Sequence, residues 1–101
     1  MKTNDGRIDN DTNDQTIAVS GDVTLDNKRV SMGTATWTVS GNWDSADVTT
    51  LNHNSSNLIM NGTGKTFTAA DIYNNRVNLT IANGVNIQVG AAASIANIRN
   101  L

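Results

Sequence analysis

The side chains best suited to chemistry begin with an acidic N-terminal segment. Asp5-Gly6-Arg7-Ile8-Asp9 matches the middle of a calcium-binding loop, and Asp11 adds a third carboxylate. Such a loop supplies roughly six to eight oxygen ligands, with carboxylates at its first and last positions. With Asp5-Gly6 in the middle of the loop, its last position is Thr12, and with the loop starting at Asp9, its last position is Ser20. Neither residue is a carboxylate, so Asp5, Asp9 and Asp11 form an incomplete calcium site. We predict a polar acidic arm over residues 1–14, either flexible or docked on a neighbouring subunit.

A second candidate is the corner formed by Asn42, Trp43 and Asp44, where an amide, an aromatic ring and a carboxylate are consecutive. An aromatic ring presents a large apolar face, and the flanking polar groups can hydrogen-bond to hydroxyls. If Trp43 is exposed, this combination suits a glycan. We therefore predict a ligand or partner contact here, with carbohydrate binding as the alternative function of the chain.

Catalysis by paired carboxylates is a further alternative. Asp26 and Asp47 are separated by the length of the repeat described below, so they would lie on adjacent coils. Two close carboxylates are the groups that cleave glycosidic bonds, which suggests a fragment of a polysaccharide depolymerase. The register drifts in this region, however, and Lys28 and Arg29 are the only nearby basic residues. We predict that the chain is not an enzyme and has no catalytic residues or cofactor.

Two other features do not complete a site. The run Gly62-Thr63-Gly64-Lys65-Thr66 has the end of a phosphate-binding loop, but Ile59 stands where the first glycine belongs. A strand is expected after this run, whereas a phosphate loop must open a helix. His53 is the only histidine and there is no cysteine, which argues against a common transition-metal site.

Composition excludes several classes of partner. The net charge is −2 and the basic residues are scattered, so no basic stripe for nucleic acid is present. No run approaches the ~18 apolar residues that a membrane-spanning helix needs. Asn and Thr are the commonest residues and Glu is absent, while residues that favour pleated surfaces are frequent. An all-β chain without nucleic-acid or membrane partners is predicted.

A repeat positions all of these residues. Ile17–Gly21, Trp37–Gly41 and Leu58–Gly62 share one pattern of two alternating apolar residues, a polar residue and a glycine, and Leu79–Ile81 is a looser copy. A fixed period of this length is typical of a solenoid, in which each repeat is one stacked coil. We predict an all-β, parallel β-helix of about four coils, with a period of about 21 residues, over residues 15–101.

Alternation within the repeat assigns side chains to faces. The predicted inward residues of one sheet are Ile17, Val19, Trp37, Val39, Leu58, Met60, Leu79 and Ile81. The predicted outward columns are Thr16, Thr36, Asn57 and Asn78, and Ser20, Ser40, Asn61 and Ala82. A second sheet is indicated by Val30, Leu51 and Ile72, and a third, less regular one by Val23–Leu25, the Trp43 region, Phe67 and Ile87–Val89.

Two other folds have similar signals. A leucine-rich repeat has a similar period, but requires a different leucine spacing and a helical back half, and Leu79–Ile81 lacks the asparagine at the required place. An antiparallel sandwich also contains many short strands. It would not repeat the same strand sequence at one constant interval, so it is retained as the structural alternative.

The end of the sequence bears on assembly. Asn57-Leu58, Asn78-Leu79 and Asn100-Leu101 recur at intervals of 21 and 22 residues, so a fifth coil would begin at the last residues. An open solenoid end exposes backbone donors and acceptors together with the apolar core. We expect a continuation in a longer chain, a partner that covers this end, or a last strand that caps the end itself.

The run Thr34–Asp44 and the strand Tyr73–Ile81 resemble coils of bacterial surface adhesins and of phage virion or tail proteins. The resemblance covers residues 34–89 and concerns structural positions. It implies a parallel β-helix in a virion, extracellular or cell-surface setting, in a homo-oligomer, with a trimer favoured, that contacts other structural proteins of its assembly. A non-enzymatic structural and assembly module is therefore the predicted function.

Glycan binding is the first alternative to that function. Ice binding is another, suggested by Thr36-x-Thr38 and Thr66-x-Thr68. Regular threonine pairs on a flat solenoid face resemble those of ice-binding proteins, but the column through Thr38 also contains Ile59. The interruption makes a solvated wall or a subunit contact the favoured interpretation of this face.

Overall fold

The chain folds as an all-β parallel solenoid of about three turns, with a period of about 21 residues. The computed structural model describes residues 2–4, 6–10, 14–26, 29–52, 55–69, 77–89 and 98–100. The predicted fold class and period are confirmed, with about three turns in place of the predicted four coils. In these segments there is no helix long and apolar enough to cross a membrane.

Short strands joined by corners build each coil. The described strands are β1 (Lys2–Asn4), β2 (Arg7–Asp9), β3 (Ile17–Val19), β4 (Val23–Asp26), β5 (Arg29–Ser31), β6 (Thr36–Val39), β7 (Trp43–Ser45), β8 (Thr50–Asn52), β9 (Asn57–Met60), β10 (Lys65–Ala69), β11 (Val77–Ile81), β12 (Ile87–Val89) and β13 (Ile98–Asn100).

The described strands stack into three parallel sheets, because each of the first three coils contributes one strand to each sheet. Sheet A has the order β1-β4-β7-β10-β12, sheet B has β2-β5-β8, and sheet C has β3-β6-β9-β11-β13. Strands β1 to β9 complete three coils. Strands β10 and β12 then extend sheet A, and β11 and β13 extend sheet C.

The register of sheet C is the one that the repeat predicts. Ile17 pairs with Trp37, Trp37 with Leu58, and Leu58 with Leu79. These positions keep an apolar residue in every coil, so a shift by one residue would turn the whole column towards solvent. In sheet B, Val30 pairs with Leu51 as expected. The third expected member of that column, Ile72, lies outside the described residues.

Sheet A is less regular, also as predicted. Trp43 pairs with Val23 on one side and with Phe67 on the other. The corner before β10 is longer than the corner before β7. The Thr66 N–H bonds to Asn42, which is 24 positions earlier, whereas the Asn42 N–H bonds to Asp22, which is 20 positions earlier. Corners can lengthen without disturbing the sheets because they lie on the surface.

The N-terminal residues differ from the expected acidic arm. Strand β1 pairs with β4, and β2 pairs with β5, so two parts of the segment 1–14 belong to the ladder. Ile8 pairs with Val30 in the apolar column of sheet B, while Arg7 and Asp9 on either side of it are exposed. Alternation in a strand therefore places these charges outside and a single apolar side chain inside.

The core runs along the inside of the solenoid between the three sheets. Trp37, Trp43 and Phe67 are its largest members, and each is fully buried. The other buried apolar residues are Val23, Leu25, Val30, Met32, Val39, Val48, Leu51, Leu58, Met60, Ala69, Val77 and Leu79. Trp37 Nε1 donates to the backbone oxygen of Met32 at 2.9 Å, which satisfies its only polar atom.

Candidate functional site

The predicted ligand corner at Asn42 required an exposed tryptophan, and Trp43 is fully buried. It pairs with Phe67 on the inward face of sheet A. Its ring meets Trp37 edge-on, with centroids 6.0 Å apart and planes at 78°. Its Nε1 donates to Ser45 Oγ at 3.0 Å. This burial overturns the expected ligand contact by Trp43, because its strand position turns the ring into the core.

The other two residues of this corner bond to the backbone of the solenoid. The Asn42 N–H donates to Asp22 Oδ1 at 2.8 Å, and Asn42 Oδ1 accepts from the Thr66 N–H at 2.8 Å. Asp44 Oδ1 accepts from the N–H of Ala46 at 3.0 Å. Asn42 thus joins three successive coils, and Asp44 closes a local turn. Both contacts give these side chains a structural role.

Similar contacts recur at other corners. The Thr34 N–H donates to Asp14 Oδ1 at 2.7 Å, and the Asn86 N–H donates to Thr63 Oγ1 at 2.9 Å. A corner interrupts the strand ladder, so its backbone N–H groups need side-chain acceptors. We call Asp14, Asp22, Asn42 and Thr63 the corner ladder. It explains why residues with short polar side chains fill the corners.

Of the calcium candidates, Asp9 lies within the described residues, and Asp5 and Asp11 lie outside them. Asp9 Oδ2 accepts a hydrogen bond from Arg7 Nη2 at 3.2 Å, and these side chains are 37% and 58% exposed. Among the residues that the structure describes, no group of three or more His, Cys, Asp or Glu is placed to hold a metal ion. Asp9 is thus paired with a cation of its own strand.

The aspartates considered for catalysis are not partners in the ladder. Asp26 pairs with Asn4 across sheet A, and Asp47 lies in the turn that follows β7. The glycine-rich run before Lys65 leads directly into strand β10, which is the strand expected there in place of a phosphate loop and helix. His53 lies outside the described residues.

The two threonine pairs lie on different sheets. Thr36 and Thr38 belong to β6 of sheet C, where Asn57 and Ile59 are their partners in the next coil. The pair Thr66-x-Thr68 belongs to β10 of sheet A. The threonines therefore do not continue as an array across these neighbouring strands.

The first coil leaves part of the core open. Ile17 and Val19 in β3 are half-buried, whereas their partners in β6, Trp37 and Val39, are fully buried. Ile8 in β2 is half-buried as well. We call the surface formed by Ile8, Ile17 and Val19 the open end. In this part of the described surface, inward-facing apolar side chains are partly exposed to solvent.

The backbone of β3 is also open on one side. The Ser40 N–H donates to the oxygen of Val19 at 3.0 Å, so the polar backbone groups of Val19 point towards β6. These groups alternate in direction along a strand, so those of Ala18 point away from β6. Strand β3 is the last of sheet C on this side. Ala18 therefore presents one donor and one acceptor at the open end.

Asn10 holds the segment that leads from β2 to β3, a role that sequence reasoning missed. Its Nδ2 donates to the backbone oxygens of Gln15 at 2.8 Å and Met32 at 3.0 Å, and its Oδ1 accepts from the Gln15 N–H at 3.1 Å. Asn10 is 8% exposed, and its N–H donates to the oxygen of Ser31. The only sequence signal for this role is the position of Asn10, which lies shortly after Ile8 and one coil before Met32.

Comparison with protein-family models, with curated proteins and with solved structures finds no match to this chain. The resemblance of residues 34–89 to adhesin and phage coils is therefore not supported by any related family or protein. The parallel β-solenoid itself stands on the strand pairing and on the repeat.

Proposed function

We propose that this chain is a non-enzymatic structural module that assembles with copies of itself through the open end. The observation that carries the proposal is the contrast in one column, where Val19 is half-buried and its partner Val39 is fully buried. Burial of apolar surface contributes about 25 cal/mol per Å². A partner that covers Ile8, Ile17 and Val19 would therefore be stabilised by the same effect that stabilises the core.

The unpaired backbone of β3 adds a directional contact to this apolar surface. An exposed edge strand pairs readily with a strand of another chain, which supplies main-chain hydrogen bonds. Ala18 offers such a donor and acceptor. Ala18 is the one outward side chain of β3 and is small, so it leaves the edge accessible to an incoming strand.

A second copy of this chain suits the open end because the opposite end of the solenoid has matching features. Ile81 in β11 and Ile87 in β12 are half-buried as well. The described strands at both ends are parallel to their neighbours. A copy stacked head to tail would continue each ladder in the same direction, with apolar side chains placed against apolar side chains.

The geometry of stacking determines which oligomer forms. Head-to-tail stacking can repeat, so it builds open filaments, whereas pairing of two identical ends stops at a dimer. The trimer that the family resemblance favours would instead need lateral contacts. In β3, β6, β9 and β11 the outward face of sheet C bears no charged side chain, which suits such contacts. These outward residues are Ala18, Thr36, Thr38, Asn57, Ile59, Asn78 and Thr80.

The setting that we propose is a virion or a cell surface, where the module would contact other structural proteins of the same assembly. This part of the proposal rests on the sequence resemblance. Carbohydrate binding is not proposed, since the aromatic ring on which it depended is buried in the core.

The test compares Ala18→Pro with Ala18→Thr by sedimentation velocity over a concentration series. Proline removes the N–H that points away from β6, and β3 keeps its bonds to β6. Threonine keeps the N–H and already occupies this column as Thr38 and Thr80. We expect the wild type and Ala18→Thr to self-associate. Ala18→Pro should associate about tenfold more weakly, since the lost bond costs about 1.4 kcal/mol.

Far-UV circular dichroism of both variants checks that the solenoid is intact. A wild-type chain that remains monomeric at every concentration would refute the proposal, and so would equal association of the two variants. A trimer unaffected by Ala18→Pro would refute association through the open end and would point to the face of sheet C.

A further inference from the structure

The sequence contains two Asn–Gly pairs, Asn61-Gly62 and Asn83-Gly84. Asparagine is a thermolabile residue, and glycine next to it favours loss of the amide because it has no Cβ to hinder the backbone nitrogen. The reaction requires that nitrogen to reach the asparagine side chain. The local backbone therefore decides whether a given pair reacts.

Asn83 and Gly84 are the central residues of an exposed turn between β11 and β12. The Val85 N–H donates to the oxygen of Ala82 at 3.1 Å, which closes the turn. Gly84 has φ of 78°, and a Cβ built on it would meet no heavy atom within 4 Å. There is thus open space at Gly84, and glycine adopts a wide range of backbone angles.

Asn61 and Gly62 are equally part of a corner, and Asn61 is also exposed. Their backbone is held, however. The Asn61 N–H donates to the oxygen of Val39 at 3.1 Å, and Asn61 Oδ1 accepts from Ser40 Oγ at 2.8 Å. A Cβ built on Gly62 would overlap the backbone oxygen of Ser40. Gly62 therefore lies directly against the previous coil and cannot rotate without displacing it.

We propose that Asn83 is a site of spontaneous deamidation in the folded chain and that the solenoid protects Asn61. The backbone nitrogen of Gly84 attacks Cγ of the Asn83 side chain, and the new N–Cγ bond closes a succinimide ring. The side-chain nitrogen leaves as ammonia, and takes up the proton that the Gly84 nitrogen loses. Water then adds to either ring carbonyl, which yields aspartate or an isoaspartyl linkage.

Both products change the turn. Aspartate adds a negative charge to a chain that already has a net charge of −2. The isoaspartyl product routes the main chain through the former side chain, so it lengthens the turn that the bond from Val85 to Ala82 closes. The reaction does not require the proposed self-association, because the evidence for it is the local geometry of the corner between β11 and β12.

The experiment incubates the folded wild-type chain at mildly alkaline pH and then maps its tryptic peptides by mass spectrometry. Cleavage after basic residues places Asn61 in the peptide 30–65 and Asn83 in the peptide 77–99. We expect the second peptide to deamidate at least about tenfold faster. A local opening that costs about 1.4 kcal/mol already lowers the reactive population of Asn61 tenfold.

Two controls connect the difference to the fold. In denaturant the two peptides should deamidate at similar rates, because both pairs are then free. In Asn83→Ser the mass change should disappear from the peptide 77–99, and fragmentation should localise the wild-type change to Asn83. Equal rates in the folded chain, or no reaction at Asn83, would overturn the proposal.

Discussion

The second coil of the solenoid is closed and the first coil is open, although both are built from the same repeat. In the column of sheet C, Trp37 is fully buried by strands on both sides, whereas Ile17 has a paired strand on one side and is half-buried. The inward residue type is apolar in both coils. The difference therefore lies in neighbours: stability along a solenoid is a sum of contacts between adjacent coils.

The contrast extends to the glycine column at one corner. Gly62 lies against the backbone of Ser40 in the previous coil, whereas a Cβ built on Gly21 would meet nothing within 4 Å. The same residue type in the repeat is thus required by packing in one coil and unconstrained in another. A coil that packs against a previous coil needs glycine at this position. The first coil has the same glycine, although no neighbouring atom of the described segments lies close enough to require it.

The largest expected effect separates Trp37→Ala from Ile17→Ala in the same column. Loss of the buried tryptophan should cost about 3–5 kcal/mol of unfolding free energy. The half-buried isoleucine should cost about 1 kcal/mol, because less of its surface leaves water on folding. Urea unfolding followed by far-UV circular dichroism, at a concentration where the chain is monomeric, measures both. Equal costs would mean that the first coil is as closed as the second.

The next effect tests how the first coil is held despite its open side. Asn10→Ala should lower the unfolding free energy by about 1–3 kcal/mol, because it removes two bonds from Nδ2 to the backbone oxygens of Gln15 and Met32 and one that Oδ1 accepts from Gln15. Asn10→Asp has nearly the same shape but lacks the Nδ2 donor. We expect it to be at least as destabilising at neutral pH. A stable Asn10→Asp variant would show that Asn10 acts by filling space.

The glycine column gives an effect of opposite sign in the two coils. Gly62→Ala should cost about 1–3 kcal/mol, because the added methyl group pushes the coil away from Ser40. Gly21→Ala should be neutral or stabilise by up to about 1 kcal/mol, since alanine restricts the unfolded chain and meets no neighbour. Thermal unfolding of both variants measures the difference. A destabilised Gly21→Ala would contradict the openness of the first coil.

The sequence was informative where every coil keeps one residue class at one position. The register of sheet C follows from Ile17, Trp37, Leu58 and Leu79, because each occupies the same inward place. The corner ladder was visible only as an abundance of short polar residues. The hydrogen-bond partners within the corner ladder depend on the length of each corner, and no local sequence pattern predicts that length.

Sequence reasoning failed where apolar neighbours are missing. Trp43 is followed two positions later by Ser45, which is buried but polar, so alternation did not reveal the inward face of β7. Ile8 is flanked by charged residues, so the local pattern predicts a polar arm. Trp43 becomes a core residue, and Ile8 packs against the core, only through the strands of other coils, at Phe67 and Val30. Tertiary pairing thus decided what local pattern left open.

The smallest expected effect concerns the charges of the first coil. Arg7 pairs with Asp9 on its own strand, and lies opposite Arg29 in the ladder of sheet B. An exposed ion pair stabilises by less than about 1 kcal/mol, and like charges directly opposite each other destabilise by a similar amount. The two contributions oppose each other at Arg7. Arg7→Gln should therefore change the unfolding free energy by less than about 0.5 kcal/mol.

Arg29→Gln is the matched variant, because it relieves the same repulsion and leaves the bond between Arg7 and Asp9 in place. It should raise the stability slightly at low salt, and the gain should vanish at ~1 M salt, where charges are screened within about 3 Å. Urea unfolding at both salt concentrations measures the two variants. If Arg7→Gln lowered the unfolding free energy by well over 1 kcal/mol, charge pairing would be what holds the first coil on the second. The Asn10 contacts and the half-buried apolar column would then be secondary.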